Sequence, residues 1–218
     1  MGLSPGYGLK QLVAPTWEPV VPADLEAHSR ILTTDLNVGT ITGFLLAARE
    51  YVETAARRAI AQQQWLLTCD QFPGRQVDDA RPPTWRYGIF RLPMPPLISV
   101  DLVQYVDPSI SMQAQPFPLT TLATTGYQYD AYSEPGRLCP SPYNVWPATS
   151  PLAMQAVQIT FTAGWATVEA VPQRIKQAIL MLAAHLYEHR ETTTEIALTK
   201  IPWGIQQWIS SCSAKEYD

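Results

Sequence analysis

The chain has 218 residues, 46% hydrophobic and 16% charged, enough for a moderate domain with a substantial core and too apolar for a disordered chain. Its 15 basic and 19 acidic residues give a formal charge of -4 with no sustained run of either sign, which argues against an extended basic surface for phosphate backbones and against sequence-specific reading of nucleic acid. Charge is scarce while 20 prolines and 7 tryptophans are many, and surfaces short of charge and rich in aromatic residues are those of stable protein interfaces, so assembly is expected.

Residues 1–21 are rich in Gly and Pro and aperiodic, and read as an extended N-terminal arm. A short helix is predicted over about 22–30, because Pro22 suits a first helical turn and Asp24 and Glu26 face the positive end of the dipole. Ile41, Phe44, Leu45, Ala48, Val52, Ala55 and Ala59 recur at three and four, predicting a long helix over about 38–60. Arg49, Glu53 and Arg57 fall on its other faces and are candidates for contacts between subunits.

From Trp65 onward the pattern changes to short β-type runs: Trp65–Cys69, Ile89–Leu92, Leu97–Val106, Gly126–Tyr132, Arg137–Cys139 and Ala156–Thr162. Gln158, Thr160 and Thr162 alternate with Val157, Ile159 and Phe161, as in a sheet with one wet face. Long Pro-rich connections separate these runs at 72–87 and 108–125. Ile175, Ile179, Leu182 and Leu186 then form one stripe of a helix over about 172–190. The tail, 191–218, holds a short amphipathic piece with Ile201, Trp203, Ile205, Trp208 and Ile209. So short a helix is marginal in water and needs a surface to dock on. With Pro202 in its first turn, Ile205, Trp208 and Ile209 share a face.

Little in the chain reads as catalytic. His185-Leu186-Tyr187-Glu188-His189 matches the H-x-x-E-H pattern of an inverted zinc-protease helix. A zinc-dependent hydrolase is therefore one alternative, but no third ligand motif follows, and packing near the helix C-terminus is the preferred reading. Phosphate loops, dinucleotide fingerprints and the G-x-S-x-G elbow are missing from the sequence. Cys69, Cys139 and Cys212 lie far apart without a C-x-x-C pair, which points to a reducing compartment and away from a disulfide framework or thiolate zinc site. The longest apolar run, Ala178 to Ala184, is far short of the roughly 18 residues of a membrane span. The N-terminus has neither a signal-peptide pattern nor a myristoylation signal. The expectation is a soluble intracellular chain with no catalytic residues, metal, cofactor or membrane partner. A monomeric protein-binding module is the second alternative.

One ordered set of segments carries a resemblance. Glu18-Pro19-Val20 leads into the short helix with Ala27-His28-Ser29-Arg30-Ile31, and Ala47-Ala48-Arg49-Glu50-Tyr51-Val52-Glu53 lies on the long helix. Gln64-Trp65-Leu66-Leu67, Leu92-Pro93-Met94-Pro95-Pro96-Leu97-Ile98-Ser99-Val100 and Tyr105 follow. Then come Tyr129, Glu134-Pro135-Gly136-Arg137, Trp146-Pro147 and Phe161-Thr162-Ala163-Gly164-Trp165. Val171-Pro172-Gln173-Arg174-Ile175-Lys176-Gln177-Ala178-Ile179-Leu180, with Tyr187-Glu188 and Arg190, closes the set. From about Trp17 to Arg190 this order resembles the head-tail connector proteins of long-tailed phages, prophages and gene transfer agents, also called adaptors or head-completion proteins. Ser29, the enlarged Pro-rich connections and the lack of a glycine in the turn after Tyr105 depart from the family pattern.

The resemblance implies an α+β fold, with a helical part of two main helices packed beside a small antiparallel β part within a connector domain of residues 22–190. It implies a structural virion protein, made in the host cytoplasm and placed at the capsid vertex. There the subunits form a ring, typically dodecameric, under the portal. The implied partners are other copies of the chain, the portal protein, and a tail, stopper or tail-terminator protein. DNA passes through the ring without sequence-specific binding. Ile201, Trp203, Ile205, Trp208 and Ile209 are then expected to dock on the portal or a neighbouring subunit.

Overall fold

The computed structural model describes residues 7–29, 38–73, 88–109, 118–150, 153–188 and 203–214. In chain order its elements are β1 (Gly8–Val13), α1 (Pro22–Ser29), α2 (Val38–Ala56), β2 (Gln63–Cys69), β3 (Phe90–Leu92), β4 (Leu97–Tyr105), β5 (Thr120–Thr121), β6 (Tyr127–Asp130), β7 (Gly136–Pro140), β8 (Val157–Ala163), α3 (Gln173–Glu188) and α4 (Trp203–Cys212). The fold class is α+β. Two compact units divide the chain: a β unit from the segment up to Ala14 and Gln63–Ala163, and a helical unit from Pro15–Gln62 and the segment from Gly164 onward.

In the helical unit, α1 begins as Pro22 and Asp24 dictate. Pro22 has no N–H to leave unsatisfied, and Asp24 Oδ2 reaches back to accept the Val21 N–H at 2.8 Å. Leu25 then points into the core. α2 buries Ile41, Leu45, Ala48, Val52 and Ala56 along one stripe, and α3 answers with Ile175, Ala178, Ile179, Leu182 and Ala183. Phe44 and Tyr187 meet edge to face at 6.4 Å.

α2 stops at Ala56, earlier than the periodicity through Ala59 and Ile60 predicts. Arg57 takes a left-handed conformation at φ 51. Its N–H bonds the Thr54 carbonyl at 3.3 Å, and the Arg58 N–H bonds the Glu53 carbonyl at 3.1 Å, the pair of bonds that defines a Schellman ending. Ala59 and Ile60 are buried as sequence periodicity suggested, but from an extended segment. Trp165 N–H bonds the Ile60 carbonyl at 3.1 Å. Gly164 beside it has φ +106, and a Cβ there would stand 2.3 Å from the Ala61 carbonyl oxygen, so only glycine fits.

The β unit holds a five-stranded antiparallel sheet in the order β1-β2-β8-β4-β5 and a three-stranded antiparallel sheet in the order β3-β7-β6. β8 is the central strand. Its Phe161 lies opposite Trp65 on one side and Val100 on the other, and Val157, Ile159 and Phe161 are buried as their alternation requires. A Cβ on Gly136 would come within 2.7 Å of Leu97 Cβ, so β7 and β4 approach closely here.

Two expectations are corrected in this unit. The predicted arm contains β1, whose residues 8–11 pair with Thr68 to Trp65 of β2. Most of β1 is exposed, so the ladder with β2 rather than a buried stripe holds it in place. The strand expected to reach Tyr132 ends at Asp130, because that side chain turns the chain over.

Candidate functional site

Three features stand out from the architecture: a buried charge network, the C-terminal helix, and the aromatic end of the β unit. The first two belong to the helical unit.

Arg49 and Glu53, one turn apart on α2, are only 4% and 6% exposed. Arg49 Nη1 donates to Glu53 Oε2 at 2.6 Å, and its Nε donates to Glu18 Oε2 at 2.8 Å. Glu53 Oε1 accepts the Ile60 N–H at 2.7 Å. Burial raises the Glu18 carboxyl above its ordinary value, with the Arg49 charge pulling the other way. Arg58 donates its Nε to the Cys212 carbonyl at 3.2 Å and lies 5.5 Å from the centre of the Trp165 ring. Arg49 and Glu53, expected as candidates for contacts between subunits, both make these bonds inside the chain's own helical unit. Arg57 is the exposed member of the predicted set.

The C-terminal helix is likewise anchored within its own unit. Ile205, Ile209 and Cys212 are buried in the same cluster as Leu45, Val52 and Ile179, and the Ala214 N–H bonds the Ala56 carbonyl at 3.1 Å. Ile205 and Ile209, expected to dock on a partner, form with Cys212 a stripe at spacings of four and three that the helical unit itself covers. Trp208 lies beside that stripe and is 42% exposed. Ile201 and the side chain of Trp203 lie outside the described residues. So does His189, while His185 and Glu188 end α3. Among the described residues no three His, Cys, Asp or Glu side chains gather as a metal site.

In the β unit the face of β2, β8 and β4 that carries Gln158, Thr160 and Thr162 is nearly uncharged, with Leu66 and Leu102 on either side of Thr160 among its polar groups. Asp101 takes hydrogen bonds from the Gln64 amide at 2.9 Å, the Thr162 hydroxyl at 2.7 Å and the Ser99 hydroxyl at 2.6 Å. Cys69 at the inner face is buried, which with the nearby Asp70 charge pushes its thiol up to about 12 and leaves it a poor nucleophile.

The sequence reading did not single out the aromatic end of this unit. Phe72 stacks on Trp146 with ring centres 4.7 Å apart, and Phe90 and Tyr105 meet Phe72 edge-on at 6.1 and 5.9 Å. Trp146 Nε1 donates to the Gly88 carbonyl at 2.7 Å. Beside these rings lies a cleft of about 260 Å³ whose lining includes Phe72, Gly88, Val145 and Trp146 together with the polar Gln71 and Thr149. None of these described lining side chains ionises, and rings stand beside neutral polar groups, so the lining suits an amphipathic group such as a phenol and supplies no acid or base for catalysis.

The β6–β7 turn is built around one carboxylate. Asp130 Oδ1 accepts the Tyr132 and Ser133 N–H groups at 2.9 and 3.3 Å, and Oδ2 accepts the Ser133 hydroxyl at 2.6 Å and the Arg137 guanidinium at 2.6 and 3.2 Å. These donors hold the carboxyl well below the usual carboxylate range. The turn presents Tyr132 fully to solvent, and Tyr143, beyond the other end of β7, is fully exposed as well. An Asp followed by Ser at the third position is a turn signal that could have marked the first of these in the sequence.

Comparison with known proteins places this geometry in context. No family model and no curated protein matches the chain. Solved structures do. A chain in the virion of a native gene transfer agent particle has a TM-score of 0.69 at 21% identity, covering 96% of this chain and 96% of its own length. A chain in the neck of an empty particle of that kind, computed with C6 symmetry, has a TM-score of 0.69 at 20% identity, covering 96% and 97%. One in the neck of the native particle, computed with C12 symmetry, has 0.60 at 20% identity, covering 94% and 97%. At this identity the likeness establishes a shared fold along nearly the whole chain.

Proposed function

We propose that this chain is a structural protein of a phage-like particle, a head-tail connector that forms a ring beneath the portal, extends the DNA channel and receives the tail. The observation that carries the reading is the fold likeness to virion and neck chains over 96% of both partners. Its partners are other copies of the chain, the portal, and a tail or stopper protein, and its place is the capsid vertex of the virion. The role is architectural, not enzymatic.

The chemistry of the chain supports this. A conduit for DNA must not grip phosphates. The chain carries more acidic than basic residues, 19 against 15, and the outward sheet face around Asp101 is made largely of neutral Gln, Ser and Thr groups. On the C-terminal helix, Trp208 remains available for the portal or a neighbour, with Ile201 and Trp203 as the adjoining apolar residues.

Deleting the gene in a cell that makes such particles should yield DNA-filled heads without tails, restored by the full chain. Complete tailed particles from the deletion strain would refute the connector role.

A further inference from the structure

We propose that copies of this chain join head to tail through the β6–β7 hairpin, with Tyr132 of one copy seated against Val145 and Trp146 of the next. The inference rests on the ring reading above and names the contact that would build it.

The argument begins with exposure. A tyrosine side chain carries a large apolar ring that is normally at least partly covered, yet Tyr132 stands wholly in solvent. It does so from a fixed mount. Five donor contacts to Asp130 fix the turn on both sides of Tyr132. A partner therefore meets an aromatic anchor whose backbone is already ordered, and preorganisation of this kind lowers the cost of binding.

The opposite end of the hairpin offers the matching shape. β7 has 5 residues, so at about 3.4 Å per residue its two ends lie roughly 15 Å apart. Beyond its far end stand Tyr143, fully exposed, and then Val145, 73% exposed, which lines the cleft. The wall behind them is rigid: Trp146 is stacked on Phe72 and its indole N–H is held by the Gly88 carbonyl. Among the described residues that line this hollow none carries an ionisable side chain, so a phenol ring meets no charge on them.

A projecting phenol at one end of a hairpin and a hollow of mixed apolar and neutral polar lining at the other cannot meet within one chain, because the strand between them keeps them apart. They can meet between successive copies. Such a contact is heterologous, and repeated with a rotation that closes it generates a ring. A self-complementary two-fold contact would instead need both features on one patch. A second copy is the occupant favoured here because the fold's solved relatives lie in a neck computed with cyclic symmetry.

The test is a photo-crosslinking amino acid placed at position 132 in the full chain, expressed in the particle-producing cell, with purified particles irradiated and the linked peptides mapped. Tyr132 is fully exposed, so the replacement leaves folding intact. The expected product is a dimer of this chain linked from position 132 to the segment 142–149. A link to a different virion protein, a link to another part of this chain, or no link from particles that contain the chain would overturn the inference and leave the connector role standing. Particles that lack the chain altogether would remove both. As an independent arm, Tyr132→Ala should lower incorporation into particles at least tenfold with an unchanged thermal midpoint, and undiminished incorporation would contradict the proposal.

Discussion

Replacing Arg49 by methionine separates a charge that holds the chain together from one that holds subunits together. The substitution keeps an unbranched apolar stem but removes the guanidinium bonded to Glu53 at 2.6 Å and to Glu18 at 2.8 Å. Glu53, 6% exposed, keeps the Ile60 N–H but loses that cation. Removing one partner of a buried ion pair costs about 3–5 kcal/mol, against about 0–1 kcal/mol for a surface pair. For a chain of this size each kcal/mol lowers the midpoint by about 2–4 °C, so a fall of roughly 6–20 °C is expected. Urea unfolding followed by far-UV circular dichroism measures the free-energy loss, and thermal unfolding the shift in midpoint. Arg49→Met combined with Glu53→Gln should recover part of the loss, since the amide oxygen still accepts from Ile60 and residue 53 no longer holds a carboxylate deprived of the Arg49 guanidinium, while Arg58 stays buried and charged. A cost below about 1 kcal/mol for Arg49→Met, or a double variant weaker than the single one, would refute the buried-pair reasoning. In that case the original expectation of a subunit contact would return.

Ile205→Ala should destabilise the isolated chain by about 2–5 kcal/mol, while Trp208→Ala should cost less than about 1 kcal/mol and instead reduce incorporation into particles; chemical denaturation and particle composition measure the two effects. Gly164→Ala should cost more than about 2 kcal/mol, because a Cβ there meets the Ala61 carbonyl at 2.3 Å and the backbone is left-handed at φ +106. A near-neutral result in thermal unfolding would contradict the stated geometry. Thiol labelling of the native chain should modify Cys139 first and spare Cys69 and Cys212, both buried; the raised Cys69 thiol makes it unreactive at neutral pH, and rapid labelling of all three would show that the core is open.

What the sequence made legible follows from the range of the signals. The stripes of α2 and α3 and the alternation of β8 arise from neighbours within a few residues, so their existence could be read directly. The end of α2 could not, because arginine rather than glycine holds the left-handed position at residue 57. β1 was hidden for a different reason: an edge strand held by the β2 ladder, with little buried side chain, leaves no periodic trace. The charge network spans 31 residues from Glu18 to Arg49, and the Arg58 bond to the Cys212 carbonyl spans 154. No local pattern carries such separations, and so Arg49 and Glu53 looked like surface charges. The same distance concealed that α4 would complete the core laid down by α2. Ile205 and Ile209 share a buried face of α4 and Trp208 lies beside it, but which tail residues would face outward depended on a surface built from residues far earlier in the chain.

The most direct test of the account is a symmetric reconstruction of the neck of particles that contain this chain. The account predicts a closed ring of identical copies between portal and tail, each with the two-unit fold and with the β6–β7 turn of one copy against the Trp146 end of the next. The chain found outside the neck, or present there as isolated copies without contact between them, would contradict it.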